Sequence, residues 1–338
     1  MIYLGLDHHK KSTFVCAIDE QGVVLRQGRV ANTREAFVHF LEALPRPCSG
    51  VVEAGFSWSW IYQTLEELGI TMTLAHPHKL RAIAEAKIKT DRLDAAILAQ
   101  LLRAQLIPAV YVPSAETRDQ KRLWRERIWL VRMDTRIKNR IHRLLADYHV
   151  LVPEFTDLFG KAGRQYLESL VLPEPGQRLL KTELELLKLY QLQIQAVQKA
   201  AVEASQHHPY RAYLESLPGF GPIFASIVAL EIDSIERFHT PGKLASYCGL
   251  APSLYSSGNT VRLGDTGPSA NHWLKWAFIE AAWAALRSSA DFRLRYQKLR
   301  KFKKPQVAIV ACARHLCMIA YKLLKERRAY EERAAVYA

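Results

Sequence analysis

Apolar and polar positions change their spacing along the chain, and the changes divide it into three parts. Residues 2–7 (IYLGLD) are an apolar run ending at an acid, and 13–19 (TFVCAID) are another. Gln21-Gly22 marks a turn, and VVLRQGRV (23–30) alternates with the period of two that a strand requires. Ala36–Leu44 has helical spacing. GVVE (50–53) is a short strand ending in an acid, 58–69 is a helix closed by Gly69, and TMTLAHP (71–77) is a strand stopped by Pro77. Strands alternating with helices predict an α/β domain over residues 1–115. From 116 to 205 the pattern is that of long helices, 116–149 and 177–205. In the second, Leu180, Leu184, Leu187, Tyr190, Ile194 and Val197 recur every three or four residues, a seam that predicts a helical arm or coiled coil. Residues 206–338 read as a mainly α domain. Within it Pro218-Gly219-Phe220-Gly221-Pro222 opens a helix, IFASIVALEI, in a helix-hairpin-helix-like arrangement. Such a turn aims backbone N–H groups of Gly219 and Gly221 at a phosphate, or is an ordinary helix–helix turn. Residues 249–269 read as a long Gly/Ser-rich loop, of the kind that often carries function.

Composition supports folded domains: 49% of residues are hydrophobic, enough for a sizeable core. No apolar run approaches the ~20 residues that span a bilayer, and the five cysteines are too scattered for a disulfide framework, so the expectation is a cytoplasmic protein without a membrane partner. The net charge of +14 points to a polyanion, and its distribution sharpens this. Residues 118–148 carry ten Lys/Arg against four Asp/Glu, and residues 287–333 carry fourteen against four, which leaves the remainder slightly acidic. In the first stretch Arg125, Arg132, Arg136, Lys138, Arg140 and Arg143 accompany Trp124 and Trp129. In the second, KLRKFKKP includes Lys301, Lys303 and Lys304. Basic residues interleaved with aromatics favour nucleic acid over a merely solvated face.

The chemistry lies in the acids. Asp7 ends the first strand and Glu53 a later one, while Asp91 and Asp94 stand three apart on one face of the helix in KTDRLDAAILAQLL. Carboxylates at neighbouring strand ends, with a helix adding two more, concentrate negative charge that a hard divalent cation relieves. Two Mg²⁺ about 4 Å apart in such a site polarise a phosphodiester and activate its attacker. The spacing alone also allows four solvated acids. One of His8 and His9 can face the same site, since successive strand residues point to opposite faces. Cys312, His315 and Cys317 lack a common helical face and read as core rather than as a zinc site.

With these residues in place, the chain resembles a family of bacterial insertion-sequence transposases. Asp7 in YLGLDHHK, Glu53 in VVEAG and Asp91/Asp94 in KTDRLDA match its DEDD motif. PGFGPIFASIVALEI and FHTPGKLASYCGLAPSLYSSG match its C-terminal part, so the likeness covers nearly the whole chain. The chain departs from the family's pattern at Glu53-Ala54-Gly55 and at Ala270-Asn271-His272-Trp273-Leu274-Lys275. The resemblance implies an RNase H/RuvC-like N-terminal domain whose four acids hold Mg²⁺. It implies a C-terminal nucleophile, Ser257, that forms a covalent phosphoserine–DNA intermediate before strand exchange. It further implies donor and target DNA, a noncoding bridge RNA as guide, and work at the nucleoid. Joining two DNA sites calls for a homodimer or homotetramer, in which acids and serine need not come from one protomer. Competing expectations are a metal-dependent junction resolvase or nuclease that uses water, and a noncatalytic nucleic-acid-binding protein.

Overall fold

The structure is a computed structural model of the chain. It describes all residues except Phe56, 84–89, Gly258, Asn259, 265–269 and 332–338, and it describes the backbone but not the side chains of 253–257 and 260–264. Two compact units result, Met1–Val112 and Pro113–Ala338.

In the first unit, strands β1 (Ile2–His8), β2 (Ser12–Ile18) and β3 (Val24–Ala31) precede helix α1 (Arg34–Glu42). Then come β4 (Cys48–Glu53), α2 (Trp58–Glu67), β5 (Thr71–Ala75), α3 (Pro77–Arg81) and α4 (Asp91–Arg103). The sheet order is β3-β2-β1-β4-β5, with β2 antiparallel to both neighbours and β1, β4 and β5 parallel. Strand alternation sends Leu4, Leu6, Val15 and Val52 to one face, where Phe37 and Leu41 of α1 and Ile61 and Leu65 of α2 cover them. The opposite face meets α4: Cys16 and Ile18 pack on Ala95 and Ala99, and Val51 and Ala75 on Leu98. Both helix starts are fixed by threonine caps, since Thr33 Oγ1 accepts from Ala36 N and Thr90 Oγ1 from Leu93 N.

Gly5 sets how closely α4 approaches β1. A Cβ there would stand 1.9 Å from the Ala95 carbonyl oxygen and 2.5 Å from Ala99 N, both backbone atoms that have no rotamer to escape into. Gly5→Ala is therefore expected to cost at least about 1–3 kcal/mol by overpacking. Gly28→Ala, whose Cβ would meet nothing within 4 Å, stays within about 0.5 kcal/mol of the parent. Comparing their thermal midpoints checks this, and equal midpoints would remove the close-approach argument.

The second unit begins with α5 (Ala115–Asp147), α6 (Lys161–Ser169) and α7 (Gly176–Ser205). Helices α5 and α7 lie antiparallel. Trp124 Nε1 donates to Ser205 Oγ at 3.1 Å, Arg127 Nε to Gln198 Oε1 at 3.0 Å, Gln191 Nε2 to Asp134 Oδ1 at 3.2 Å and Arg140 Nε to Glu183 Oε1 at 2.7 Å. Leu180 and Leu187 of the expected seam are buried against Ile137, Ile141 and Leu145. The chain continues through α8 (Arg211–Glu215), α9 (Pro222–Ile232), α10 (Pro241–Tyr247), strands β6 (Ser253–Ser257) and β7 (Thr260–Gly264), α11 (His272–Ser288), α12 (Ala290–Arg300) and α13 (Pro305–Glu326).

Two expectations need correction. The supposed loop at 249–269 contains an antiparallel hairpin, β6 paired with β7 from Ser253↔Gly264 to Ser257↔Thr260. Leu254 and Tyr255 in β6 and Thr260 and Val261 in β7 are strand formers that the Gly/Ser-rich composition of the segment obscures. The other correction concerns α13, which at 22 residues is long and apolar enough to cross a membrane by length and composition. Ala308, Ile309, Cys312, Ala313, Leu316, Cys317 and Ala320 of that helix are instead buried in the unit's core with α9 and α11. Cys312 and Cys317 are core residues, and His315 Nδ1 faces Arg295 at 3.1 Å.

Candidate functional site: a carboxylate centre and a serine hairpin

The first unit gathers its acids at one edge of the sheet. Asp7 lies near the end of β1. Because Leu6 pairs with Val52 in the parallel β1–β4 ladder, Glu53 is the next residue on the neighbouring strand. The Gly5 contact brings the first turn of α4 over this edge, with Asp91 and Asp94 in that turn. Negative side chains are favoured there by the helix N-terminus.

His9, two residues beyond Asp7 and so on the same side, completes the cluster. Its Nε2 lies 3.0 Å from Asp7 Oδ2 and 3.5 Å from Asp91 Oδ1, and one ligand atom from each of the three falls within 4.8 Å of the others. Arg29 of β3 donates to Asp91 Oδ2 at 2.6 Å. Among the described residues, neither Glu53 nor Asp94 has a hydrogen-bond or ion-pair partner for its carboxylate, and both stand outside the 4.8 Å group. Burial pushes the Asp7 carboxyl above its ordinary value. The nearby His9 pulls it down, and the charges of Asp91 and Asp94 push it up again.

His8 points to the other face and does different work. Asn32 Nδ2 donates to the His9 carbonyl at 2.7 Å, which leaves Asn32 Oδ1 to accept from the Thr13 hydroxyl at 2.8 Å. Thr13 Oγ1 therefore accepts from His8 Nδ1 at 2.7 Å, and the bare Nε2 of neutral His8 accepts from Ser57 Oγ at 2.9 Å. Burial, and secondarily His9, lowers the His8 pKa, in keeping with a neutral ring. The network fixes Ser57, held at φ 52°, in the β4–α2 connection that follows Glu53.

One stability prediction follows from the raised Asp7 carboxyl. Its folded pKa lies above the unfolded one, so ionising Asp7 costs stability as pH rises through the unfolded value toward the folded one. Asp7→Asn should raise the thermal midpoint of the metal-free protein at pH 7. The gain should vanish near pH 3, where the parent carboxyl is protonated too. A midpoint lowered at pH 7 would count against the electrostatic account.

In the second unit the hairpin holding Ser257 is closed at its base. Asn271 N donates to the Tyr247 carbonyl at 2.8 Å, joining the end of α10 to the start of α11. Asn271 Oδ1 caps α11 through Trp273 N and Leu274 N, and its Nδ2 donates to Glu231 Oε2 at 2.9 Å. Glu231, only 3% exposed, also receives Arg125 at 2.7 and 3.0 Å and lies 3.8 Å from Lys121. Burial pulls the Lys121 pKa down, while Glu231 and Asp233 raise it.

Two family models match the chain. One, a DEDD transposase domain of IS110 type, covers residues 4–150, and the other, the transposase IS116/IS110/IS902 family, covers residues 211–297. The chain belongs to this family of insertion-sequence transposases. It is similar to a "Probable family 20 transposase" of Pseudomonas aeruginosa, 29% identical over 97% of this chain and 98% of the relative. The transposase for insertion sequence element IS1111A of Coxiella burnetii is 28% identical over 84% of this chain and 78% of its own length. An uncharacterized 43.6 kDa protein of insertion element IS110 from Streptomyces coelicolor is 28% identical over 75% and 76%.

The basic residues of this transposase fall into two groups. Along α5 most are engaged internally: Arg125 with Glu231, Lys138 with Asp134 at 2.9 Å, Arg140 with Glu183, and Arg143 with Asp147 at 3.8 Å. Arg132 lies 5.3 Å from the Trp273 ring centroid, and Arg136 is exposed. By contrast Lys301, Lys303 and Lys304 are exposed and make no ion pair among the described residues. Of the two hairpin glycines, Gly219 has φ +82°, and a Cβ on it would stand 2.1 Å from the Ala281 carbonyl oxygen, so packing on α11 already demands a glycine there. Gly221 caps α9 in open space.

Sequence reasoning left open which of His8 and His9 joins the acids, and it missed two further contributors, Arg29 and Glu231. Strand parity relative to Asp7 could have chosen His9 over His8. Nothing local marks Arg29, which reaches Asp91 across the sheet, or Glu231, which looks like one acid in an apolar helix.

Proposed function

We propose that this chain cuts and rejoins DNA at the ends of an insertion sequence, using the carboxylate centre of an RNase H/RuvC-like first unit and Ser257 as nucleophile. The observation that carries the reading is the crowding at Asp7, a carboxyl pushed up by burial and by the charges of Asp91 and Asp94 at the edge that also holds Glu53. Hard oxygen donors under mutual repulsion fit a divalent cation, and Asp7, Glu53, Asp91 and Asp94 would hold Mg²⁺. When bound, Mg²⁺ supplies charge neutralisation at a scissile phosphate and lowers the pKa of an attacking hydroxyl. His9 and Arg29 steady Asp7 and Asp91 through the contacts above, and the Ser57–His8–Thr13–Asn32 chain keeps the segment after Glu53 in place.

Ser257 Oγ forms a bond to phosphorus as one bridging sugar oxygen departs with a proton, giving a phosphoserine–DNA ester. A hydroxyl of the second DNA strand then reverses the exchange. Each step trades one phosphate ester for another, so no energy-supplying cofactor is required. The family resemblance supports a noncoding bridge RNA, whose base pairing would select donor and target, and a dimer or tetramer.

The test combines purified protein, Mg²⁺ and end-labelled DNA carrying the element's ends. A protein–DNA adduct stable to denaturation is expected, and Ser257→Ala should remove it. Cleavage that persists without an adduct in that variant would instead establish a water-using nuclease. Mixing Asp7→Asn with Ser257→Ala protein asks whether acids and serine come from one protomer: restored exchange means that they act in trans. RNA copurifying with the tagged chain tests the guide.

A further inference from the structure

The distribution of cations over the second unit separates those spent on internal pairs from those left to a partner. Residues 292–325 contain ten Lys/Arg and no Asp or Glu. The α12–α13 turn lies within this stretch, and residues 300–307 are all exposed. Arg300 Nη1 donates to the Lys303 carbonyl at 2.6 Å, and the N–H groups of Phe302 and Lys303 both donate to the Leu299 carbonyl, so the turn is fastened through its own backbone. Leu299 anchors it on the core, whereas Phe302 stands 72% exposed, with Lys303 Nζ 6.0 Å from its ring centroid. Lys298, Lys301, Lys303 and Lys304 have no acidic partner among the described residues, unlike the paired cations of α5.

We propose that this turn is a binding site for single-stranded nucleic acid, in which an unpaired base stacks on Phe302 and the flanking phosphates lie against Lys301, Lys303 and Lys304. The chemistry separates the two parts. The lysines attract any phosphate backbone, duplex included, whereas a ring projecting from a fastened turn offers a flat apolar face only to a base that has left its stack. The site deepens the reading of the chain as one that acts on nucleic acid, and it uses none of the four acids and not Ser257.

Fluorescence anisotropy of the full chain with labelled oligo(dT), oligo(rU) and a DNA duplex tests it. Phe302→Ala should weaken single-strand binding roughly 5- to 100-fold. It should leave duplex binding and the slope of log K against log salt unchanged, and Phe302→Trp should restore affinity. Replacing Lys301, Lys303 and Lys304 together by alanine should lessen the salt slope by about 2 on single strands. Loss confined to oligo(rU) would assign the site to RNA, loss confined to oligo(dT) to DNA, and loss on both to either strand. Single-strand affinity within twofold of the parent in Phe302→Ala, or an equal loss on duplex, overturns the proposal. Asp7→Asn serves as the independent control. It is read by strand exchange alone, whereas Phe302→Ala is read by single-strand affinity, so failure of the turn and failure of the recombinase reading give different results.

Discussion

Asp7→Asn is expected to lower strand exchange by about 10³-fold or more, equivalent to roughly 4 kcal/mol of transition-state stabilisation. Three observations meet at this residue. It lies near the end of the strand on which Gly5 admits α4, its carboxyl is pushed up by burial and by Asp91 and Asp94, and His9 contacts it at 3.0 Å. The substitution changes one oxygen to nitrogen and keeps the shape. Its effect should therefore appear in the chemistry and not in folding, and the metal-free variant should be more heat-stable at pH 7. Loss of exchange with a raised midpoint is the signature of a site held under electrostatic strain for function. Time courses of strand exchange and thermal melts on the same preparation decide it. Exchange within tenfold of the parent would move the catalytic centre elsewhere.

Glu231→Ala is expected to cost roughly 3–5 kcal/mol, because it strands a buried lysine and removes the group through which α9 holds both α5 and the start of α11. Glu231 is 3% exposed and joins Lys121 and Arg125 of α5 to Asn271 at the start of α11. For a unit of this size the loss corresponds to a fall in melting temperature on the order of 10 °C. Glu231→Gln, which keeps hydrogen-bonding atoms but not the charge, should fall between the two. The hairpin also bears on the outcome, since Asn271 bridges Glu231 and Tyr247 at its base. Limited proteolysis should therefore cut within 249–270 faster in both variants. A melting shift below about 2 °C in Glu231→Ala would show that the network contributes little.

Much of the first unit was legible from local pattern. Strand and helix boundaries read from apolar spacing fall within a few residues of β1 to β5, α1, α2 and α4, because each of those elements buries a face that its own sequence must display. The long helices α5 and α7 were legible for the same reason. The hairpin β6–β7 was not, since Gly and Ser dominate its composition and its strands are only five residues each. Membrane-spanning length in α13 was also not recognised, because its polar residues interrupt the apolar run along the sequence while the helix gathers the apolar ones on a buried face.

By itself the sequence determined the alternation of elements, the order of the acids Asp7, Glu53, Asp91 and Asp94, and the surplus of positive charge. These depend on which side chains occur at which spacing, and spacing is local. Only the tertiary structure decided which groups meet. It brought Arg29 to Asp91, set Glu231 between α5 and Asn271, and placed α4 against β1 at Gly5. It also divided the cations into those of α5 that are paired with acids and those left open at the α12–α13 turn. Arg125 and Arg140 find their acids 106 and 43 residues away, so counting charges along the sequence locates a basic surface without saying which cations remain free to bind.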